Sequence, residues 1–284
     1  MADAEQASTP RTAVVLGAGG VVGTAWMAGL LAGLRRHGVD LASADLIVGT
    51  SAGAIAGAIL ATGESMQRLA TLPARTQQQS APTDPAHPRL GEVFAILREP
   101  GQQPATARRR VGELALTIGT GDPTEQIERM RCLIGVSEWP DRDLRITVVD
   151  AETGEPTVWD RHSGVPLPTA VAASTAFPGA QPPIPVDGRY YIDGGLRSAT
   201  NADLAAGAET LVVIEPLAHL FSDDPSPEPL ADTVVRIGPD TTAVELFGTN
   251  LYDRANWAPA YQAGLRQTDN SSTRAQLARF RTDS

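Results

Sequence analysis

Thr12–Leu16 (TAVVL) is an unbroken β-branched and aliphatic run that stops at glycine. A short run without polar alternation predicts a strand buried on both faces. GAGGVVG follows at 17–23. TAWMAGLLAGLRRHG then predicts a helix with arginines in its last turn and Gly38 as its stop. The arrangement recurs at once. Asp45–Val48 (DLIV) predicts a second buried strand, GTSAG at 49–53 a turn, and AIAGAILATG a small-residue helix ending near Gly63. Two consecutive strand–glycine turn–helix units predict an α/β fold with a largely parallel sheet.

Residues 64–140 break the pattern. GEVFAILRE, TARRRVGELALTIG and PTEQIERMRCLIG have helical spacing, with the loop SAPTDPAHPRL among them, so the stretch reads as a helical insertion, either a lid or a packing layer. Strands resume at Leu144–Asp150 and Thr157–Asp160, joined as a hairpin through AETGEP. PTAVAASTAF (168–177) predicts a helix stopped by Pro178. A proline-rich loop then leads to the strand RYYI and to DGG at 193–195. TLVVIEP (210–216) and TVVRIGP (233–239) predict two more strands, around an acidic, proline-containing loop at 218–230, and 241–267 predicts helix. No linker or repeat interrupts 12–270, which reads as a single domain. Residues 1–11 and 271–284 are polar and read as flexible termini.

Composition narrows the class. The chain has 284 residues, 42% hydrophobic and 20% charged, and a formal net charge of −10. These values suit a globular chain and argue against disorder. An acidic chain offers no broad electrostatic footprint for nucleic acid or anionic membrane, so any peripheral membrane contact would rest on apolar surface. The polar N-terminus carries acids where a signal peptide would be basic, and the longest uncharged stretches are glycine-rich and break into strand, turn and helix. The expectation is a soluble, cytoplasmic protein without a transmembrane segment. The one cysteine, Cys132, excludes an internal disulfide and a CxxC site, and it reads as a packed apolar side chain. Arg108–Arg110 reads as a solvated helix face, and the pair Asp223–Asp224 as solvated loop charge. No His, Cys and acid cluster has metal-ligand spacing, so neither metal nor cofactor is expected.

Three short motifs carry candidate chemistry. In Gly49-Thr50-Ser51-Ala52-Gly53, a serine stands between glycines after a strand and before a helix, the pattern of a nucleophile elbow. Gly49 and Gly53 permit the crowded turn, and the helix N-terminus favours developing negative charge. The alternative is a small-residue turn that only caps a helix. In Gly17-Ala18-Gly19-Gly20-Val21-Val22-Gly23, glycines let backbone N–H groups approach a ligand, as an acyl-transfer enzyme needs for its tetrahedral oxyanion. A dinucleotide fingerprint would need glycine at Val22 and an acid ending the second strand, and neither is present. Close strand-to-helix packing without a ligand is the remaining reading. Asp193, followed by Gly194 and Gly195, ends a strand and can reach across the top of the sheet; alone it is a turn aspartate.

In this order, GAGGVVG, GTSAG and DGG resemble the patatin-like phospholipase family. VVDAETGEPTVW and the stretch AASTAFPGAQPP before YIDGGL look similar too, so the resemblance covers roughly residues 12–216. It implies a three-layer α/β/α sandwich with a mostly parallel central sheet. It also implies a Ser–Asp dyad without histidine, acting on an acyl lipid or small ester. Position by position, Ser51 is the nucleophile and Asp193 the base, and Gly19, Gly20 and Ala18 line the oxyanion hole. Val22 departs from the many bacterial members that carry Arg or Lys there; the loop lacks that charge but keeps its backbone donors. Aspartate has a reference pKa of about 3.9, which burial can raise.

The histidines test the dyad. His37 sits at a helix end, His87 in a proline-rich loop and His162 after a strand; each reads as structural or exposed. Ser51, Asp193 and His219 stand in the chain order of an α/β-hydrolase triad. Against that, only one strand precedes the strand that feeds Ser51, and His219 reads as an exposed loop residue. The expectation is a metal-independent serine lipid acyl hydrolase. The alternatives are a Ser–His–Asp esterase, and a non-catalytic protein that binds an acyl lipid or a partner.

Overall fold

The computed structural model describes residues 11–72, 89–118, 121–220, 230–270 and, further on, Thr273, Ala275 and Leu277. In chain order the elements are β1 (Thr12–Leu16), α1 (Gly20–Arg36), β2 (Leu46–Gly49), α2 (Ala52–Thr62), α3 (Leu90–Leu97), α4 (Pro104–Ile118), α5 (Pro123–Ile134), β3 (Asp143–Asp150), β4 (Pro156–Trp159), α6 (Leu167–Ser174), β5 (Ile184–Val186), β6 (Arg189–Asp193), β7 (Ala208–Ile214), β8 (Ala231–Ile237), α7 (Thr241–Phe247) and α8 (Trp257–Gln267). The strands form one sheet in the order β5-β6-β3-β2-β1-β7-β8, with β4 also paired to β3. The central pairs β3–β2, β2–β1, β1–β7 and β7–β8 are parallel, and β3–β4, β3–β6 and β5–β6 are antiparallel.

The period of two explains how the sheet is covered. On one face, Val14, Leu16, Ile47, Leu144, Ile146 and Val148 join a core with α1, α2 and α6. On the other, Ala13, Val15, Leu46, Val48, Leu211 and Val213 meet a short 3-10 turn at Ala202–Ala205. Farther along that face, Val149 and Ile192 meet Val93 of α3 and Val111 and Ala115 of α4. The layers are therefore unequal, and the front one is doubled by α8 over α1. That is why Val22–Leu34 is buried on every side. Helix α1 and helix α8 touch backbone to backbone: a Cβ at Gly29 would lie 1.9 Å from the Tyr261 carbonyl oxygen, and one at Gly264 2.0 Å from that of Trp26.

Register along β3 determines where the chain ends meet. Ile146 pairs with both Gly49 of β2 and Trp159 of β4, so β2 and β4 flank opposite edges of β3. Val148 pairs with both Thr157 of β4 and Asp193 of β6, so β6 also lies opposite β4. Hence β2 and β6 run end to end along the same edge of β3. Their facing ends, Gly49 and Asp193, are separated by the span of Thr147, two residues of rise or about 7 Å.

Several local expectations need correction. The helix expected to reach Phe177 ends at Ser174, and the Thr175 hydroxyl bonds back onto the Val171 and Ala172 carbonyls at its end. The proline-rich loop contains a strand, β5. Residues 241–267 are two helices broken after Phe247, where Gly248 takes φ +56°. Cys132 is exposed on α5 rather than packed, and its thiol donates to Glu128. Arg108 is partly buried and donates to the Gly154 carbonyl, so the arginine run is not wholly a solvated face. Within the insertion, α4 is a packing layer: a Cβ on Gly112 would lie 1.9 Å from the Ala151 carbonyl oxygen. Beyond Asn270, the described residues Thr273 and Leu277 are buried. Residues 1–10, His87 with most of its loop, and Asp223–Asp224 lie outside the described residues. No helix among the described residues is long and apolar enough to cross a membrane.

Candidate active site

β2 stops at Gly49 because the next residues must turn directly into α2. A Cβ on Gly49 would meet the Gly53 carbonyl oxygen at 2.7 Å, and one on Gly53 would meet the Leu16 carbonyl oxygen at 1.8 Å. The turn is tied to the first strand by Thr50 N–H donating to Leu16 at 3.0 Å and Gly53 N–H donating to Gly17 at 3.1 Å. Ser51 sits at its apex with φ 54° and ψ −115°. A non-glycine residue held there costs about 1–3 kcal/mol and persists only where its surroundings over-determine it.

Asp193 arrives from the opposite direction as the last residue of β6. Gly194 packs on Thr147, whose carbonyl oxygen and Oγ1 would each lie 2.3 Å from an added Cβ, so the chain passes close beneath the elbow. The Ser51 hydroxyl donates to Asp193 Oδ2 at 2.7 Å, and Gly195 N–H donates to Asp193 Oδ1 at 2.7 Å. Asp193 is 2% exposed and Ser51 8%. Burial pushes the Asp193 carboxyl up to about 7, against the opposing pull of the bonds from Ser51 and Gly195. A carboxyl poised there can take and return a proton near neutral pH.

The glycine loop presents unengaged backbone amides. Among the described residues the amides of Gly19, Gly20 and Ala52 have no acceptor. Ala18 differs from the expectation: its N–H already donates to the Ala199 carbonyl at 2.7 Å, so it is not a free oxyanion donor. The next two amides of α1, Val21 and Val22, are taken by the Leu251 carbonyl at 2.8 and 3.2 Å. Gly20 takes φ +63°, and a Cβ there would lie 2.8 Å from that same oxygen. The Val22 side chain is fully buried. A charged residue at this position would thus point into the core of this chain rather than towards a ligand.

His219 does not intervene, since the Ser51–Asp193 contact is direct. Its ring is partly buried rather than exposed and stands edge-on to Phe247 at 6.0 Å, and burial lowers its pKa. His37 caps the end of α1 and His162 is exposed. Among the described residues no group of three or more His, Cys, Asp or Glu is placed to hold a metal ion.

Motif reading missed two neighbours of the Ser51–Asp193 pair. Ser174, at the end of α6 and 0% exposed, accepts the Ser51 N–H at 2.9 Å. The only signal for it was the stretch AASTAFPG. Tyr252 is also missed: burial and then the Asp193 carboxylate push its phenol up, so it stays neutral within electrostatic reach of the site. Its segment lies far beyond the motifs. Ser174→Ala leaves the Ser51 amide buried without a partner, at a cost of about 1–3 kcal/mol. The expected result is a lower denaturation midpoint and slower turnover of the folded protein, checked by chemical denaturation alongside kcat.

A family model described as Patatin-like phospholipase matches residues 14–206. An uncharacterized NTE family protein of Mycobacterium tuberculosis is 28% identical over 191 residues, covering 66% of this chain and 44% of its own length. Its counterpart in Mycobacterium bovis matches to the same extent. The chain thus spans less than half the length of the curated relatives it matches. Among solved structures, VipD from Legionella pneumophila aligns with 92% of this chain and 67% of its own, at a TM-score of 0.42 and 15% identity. The type III effector protein ExoU aligns with 97% of this chain and 54% of its own, at 0.40 and 16%.

Proposed function

The chain belongs to the patatin-like phospholipase family, and on that premise we propose that it is a serine lipid acyl hydrolase working through a Ser51–Asp193 dyad. The observation that carries this reading is the direct 2.7 Å hydrogen bond from the Ser51 hydroxyl to the Asp193 carboxylate. It stands beside the backbone amides of Gly19, Gly20 and Ala52, which have no acceptor among the described residues. In the first half-reaction Ser51 Oγ attacks the acyl carbonyl carbon while its proton passes to Asp193 Oδ2. The oxyanion is held by the Gly19 and Gly20 amides, with the Ala52 amide at the start of α2 as a further donor. Asp193 returns the proton to the leaving alcohol as the ester bond breaks, leaving an acyl-serine. Water then attacks this acyl-enzyme and gives its proton to Asp193. Collapse expels the carboxylic acid and reprotonates Ser51. No step calls for a metal or an organic cofactor. Family membership supports a phospholipid or a neutral acyl lipid as the substrate class, and the reading places the protein in the cytoplasm, in solution or at a membrane surface.

A fluorophosphonate probe tests the reading. The native protein is expected to add one phosphonyl group, and peptide mapping should place it on Ser51. A panel of acyl esters and phospholipids should then show turnover that the probe abolishes. His219→Ala is expected to label and turn over at the native rate. Collapse of turnover in that variant would favour the triad. Failure of the native protein to label would favour a non-catalytic acyl-lipid or partner-binding protein.

A further inference from the structure

Where β2 and β6 meet end to end, no backbone ladder joins the two strands. The nucleophile and the base are carried on separate turns, and something must hold those turns together. Asn201 fills this seam. It is 0% exposed, and its backbone takes the left-handed conformation, φ 54° and ψ 37°. Arg197 Nη1, which can only donate, contacts Asn201 Oδ1 at 2.7 Å, and Arg197 is itself anchored on both oxygens of Asp203. That contact orients the carboxamide. Its Nδ2 therefore faces the seam, with the Ser198 carbonyl at 2.9 Å, Thr50 Oγ1 at 3.1 Å, the Gly194 carbonyl at 3.3 Å and Thr147 Oγ1 at 3.4 Å. Thr50 precedes Ser51, and Gly194 follows Asp193. One buried amide thus reaches the residue next to each partner of the dyad, and Thr147 bridges beneath by donating to Thr50 Oγ1 at 3.0 Å.

We propose that Asn201 is a positioning residue that, through Thr50 and Gly194, sets the separation of the Ser51 hydroxyl and the Asp193 carboxylate. It touches neither substrate nor reacting atoms. The inference rests on the dyad reading and adds the element that aligns it. Thr50 Oγ1 is the hub, because it accepts from Asn201 and Thr147 and donates to the Thr200 carbonyl at 3.3 Å. Loss of the Asn201 donors loosens the alignment of proton transfer and leaves the acyl-binding surface in place. A misplacement near 1 Å costs about 100-fold in rate. The expected signature is therefore a fall in kcat with KM held.

The experiment compares the native chain with Asn201→Ala, Thr50→Val, Thr50→Ser and the double variant Asn201→Ala/Thr50→Val. Fluorophosphonate labelling and ester turnover are measured per folded molecule, well below each melting midpoint. Asn201→Ala and Thr50→Val are expected to lower kcat and the labelling rate by about 10- to 100-fold with KM essentially unchanged. Thr50→Ser, which keeps the hydroxyl, is expected to restore most of the rate. The double variant should lose no more than the worse single one, since both changes break one connection. If Asn201→Ala is too unstable to prepare, the Thr50→Val and Thr50→Ser pair carries the test alone. Native labelling with rates unaffected in the folded variants would overturn this inference and leave the dyad standing. Equal loss in Thr50→Ser and Thr50→Val would also overturn it. A native protein that takes no label overturns the dyad and the inference together.

Discussion

Asp193→Asn is expected to lower ester turnover by about 100- to 10,000-fold, the range associated with a positioned general base. The substitution is nearly isosteric. The Asn carbonyl oxygen can still accept the Gly195 N–H, and the carboxamide nitrogen can donate to Ser51 Oγ. The site therefore stays assembled while losing the one group that can accept the Ser51 proton. Because the proposed oxyanion donors are backbone amides of Gly19 and Gly20, the substitution leaves them untouched, and residual turnover above the uncatalysed rate should remain. KM should change little, since the carboxylate contacts the nucleophile rather than the acyl chain. Steady-state kinetics on the ester panel checks this, and fluorophosphonate labelling should slow with kcat. Near-native turnover in a folded Asp193→Asn would require a base other than Asp193 and would overturn the dyad.

What the residues disclosed in advance follows from how local each feature is. The strands around Val14, Ile47 and Val212 are apolar on both faces and end at or near glycine or proline, so their existence could be read from short windows. The β5 strand could not, because its Ile-Pro-Val core lies within a proline-rich run and, among the described residues, pairs only with the neighbouring β6. Cys132 looked apolar by type, but it falls on the solvent face of α5, where Glu128 one turn away takes its hydrogen bond. Ser51 and Asp193 stand in separate motifs, and no window reveals that they touch. Their meeting depends on β2 and β6 sharing one edge of β3, a register between segments far apart in sequence. For the same reason Ser174, Thr50 and Asn201 read as ordinary small polar residues. Each matters through one partner contributed by another element. At Ala18, glycine-loop composition suggests a free amide and cannot show that the Ala199 carbonyl already accepts it.

The Asp193 carboxyl should also make activity and stability run in opposite directions with pH. An unfolded aspartate titrates near 3.8, whereas burial pushes this one up to about 7 in the folded protein. Between those values the native state keeps a proton that the unfolded state has released, so stability falls as pH rises through this window. Below it the contribution is fully present, and above about 7 it has been lost. A shift of this size corresponds to at most about 4 kcal/mol. Asp193→Asn has no such proton to lose. Its melting midpoint should be close to that of the native protein at pH 4 and exceed it by several degrees at pH 8, in scans run across that range at constant ionic strength. Native kcat/KM should rise over the same interval as the carboxylate forms, with a midpoint near 7, because only the ionised group can accept the Ser51 proton. A stability gap that stayed flat from pH 4 to 8 would mean that Asp193 ionises without cost in the folded state. Its burial would then not be what tunes the base, and the rise in kcat/KM would have to come from another group.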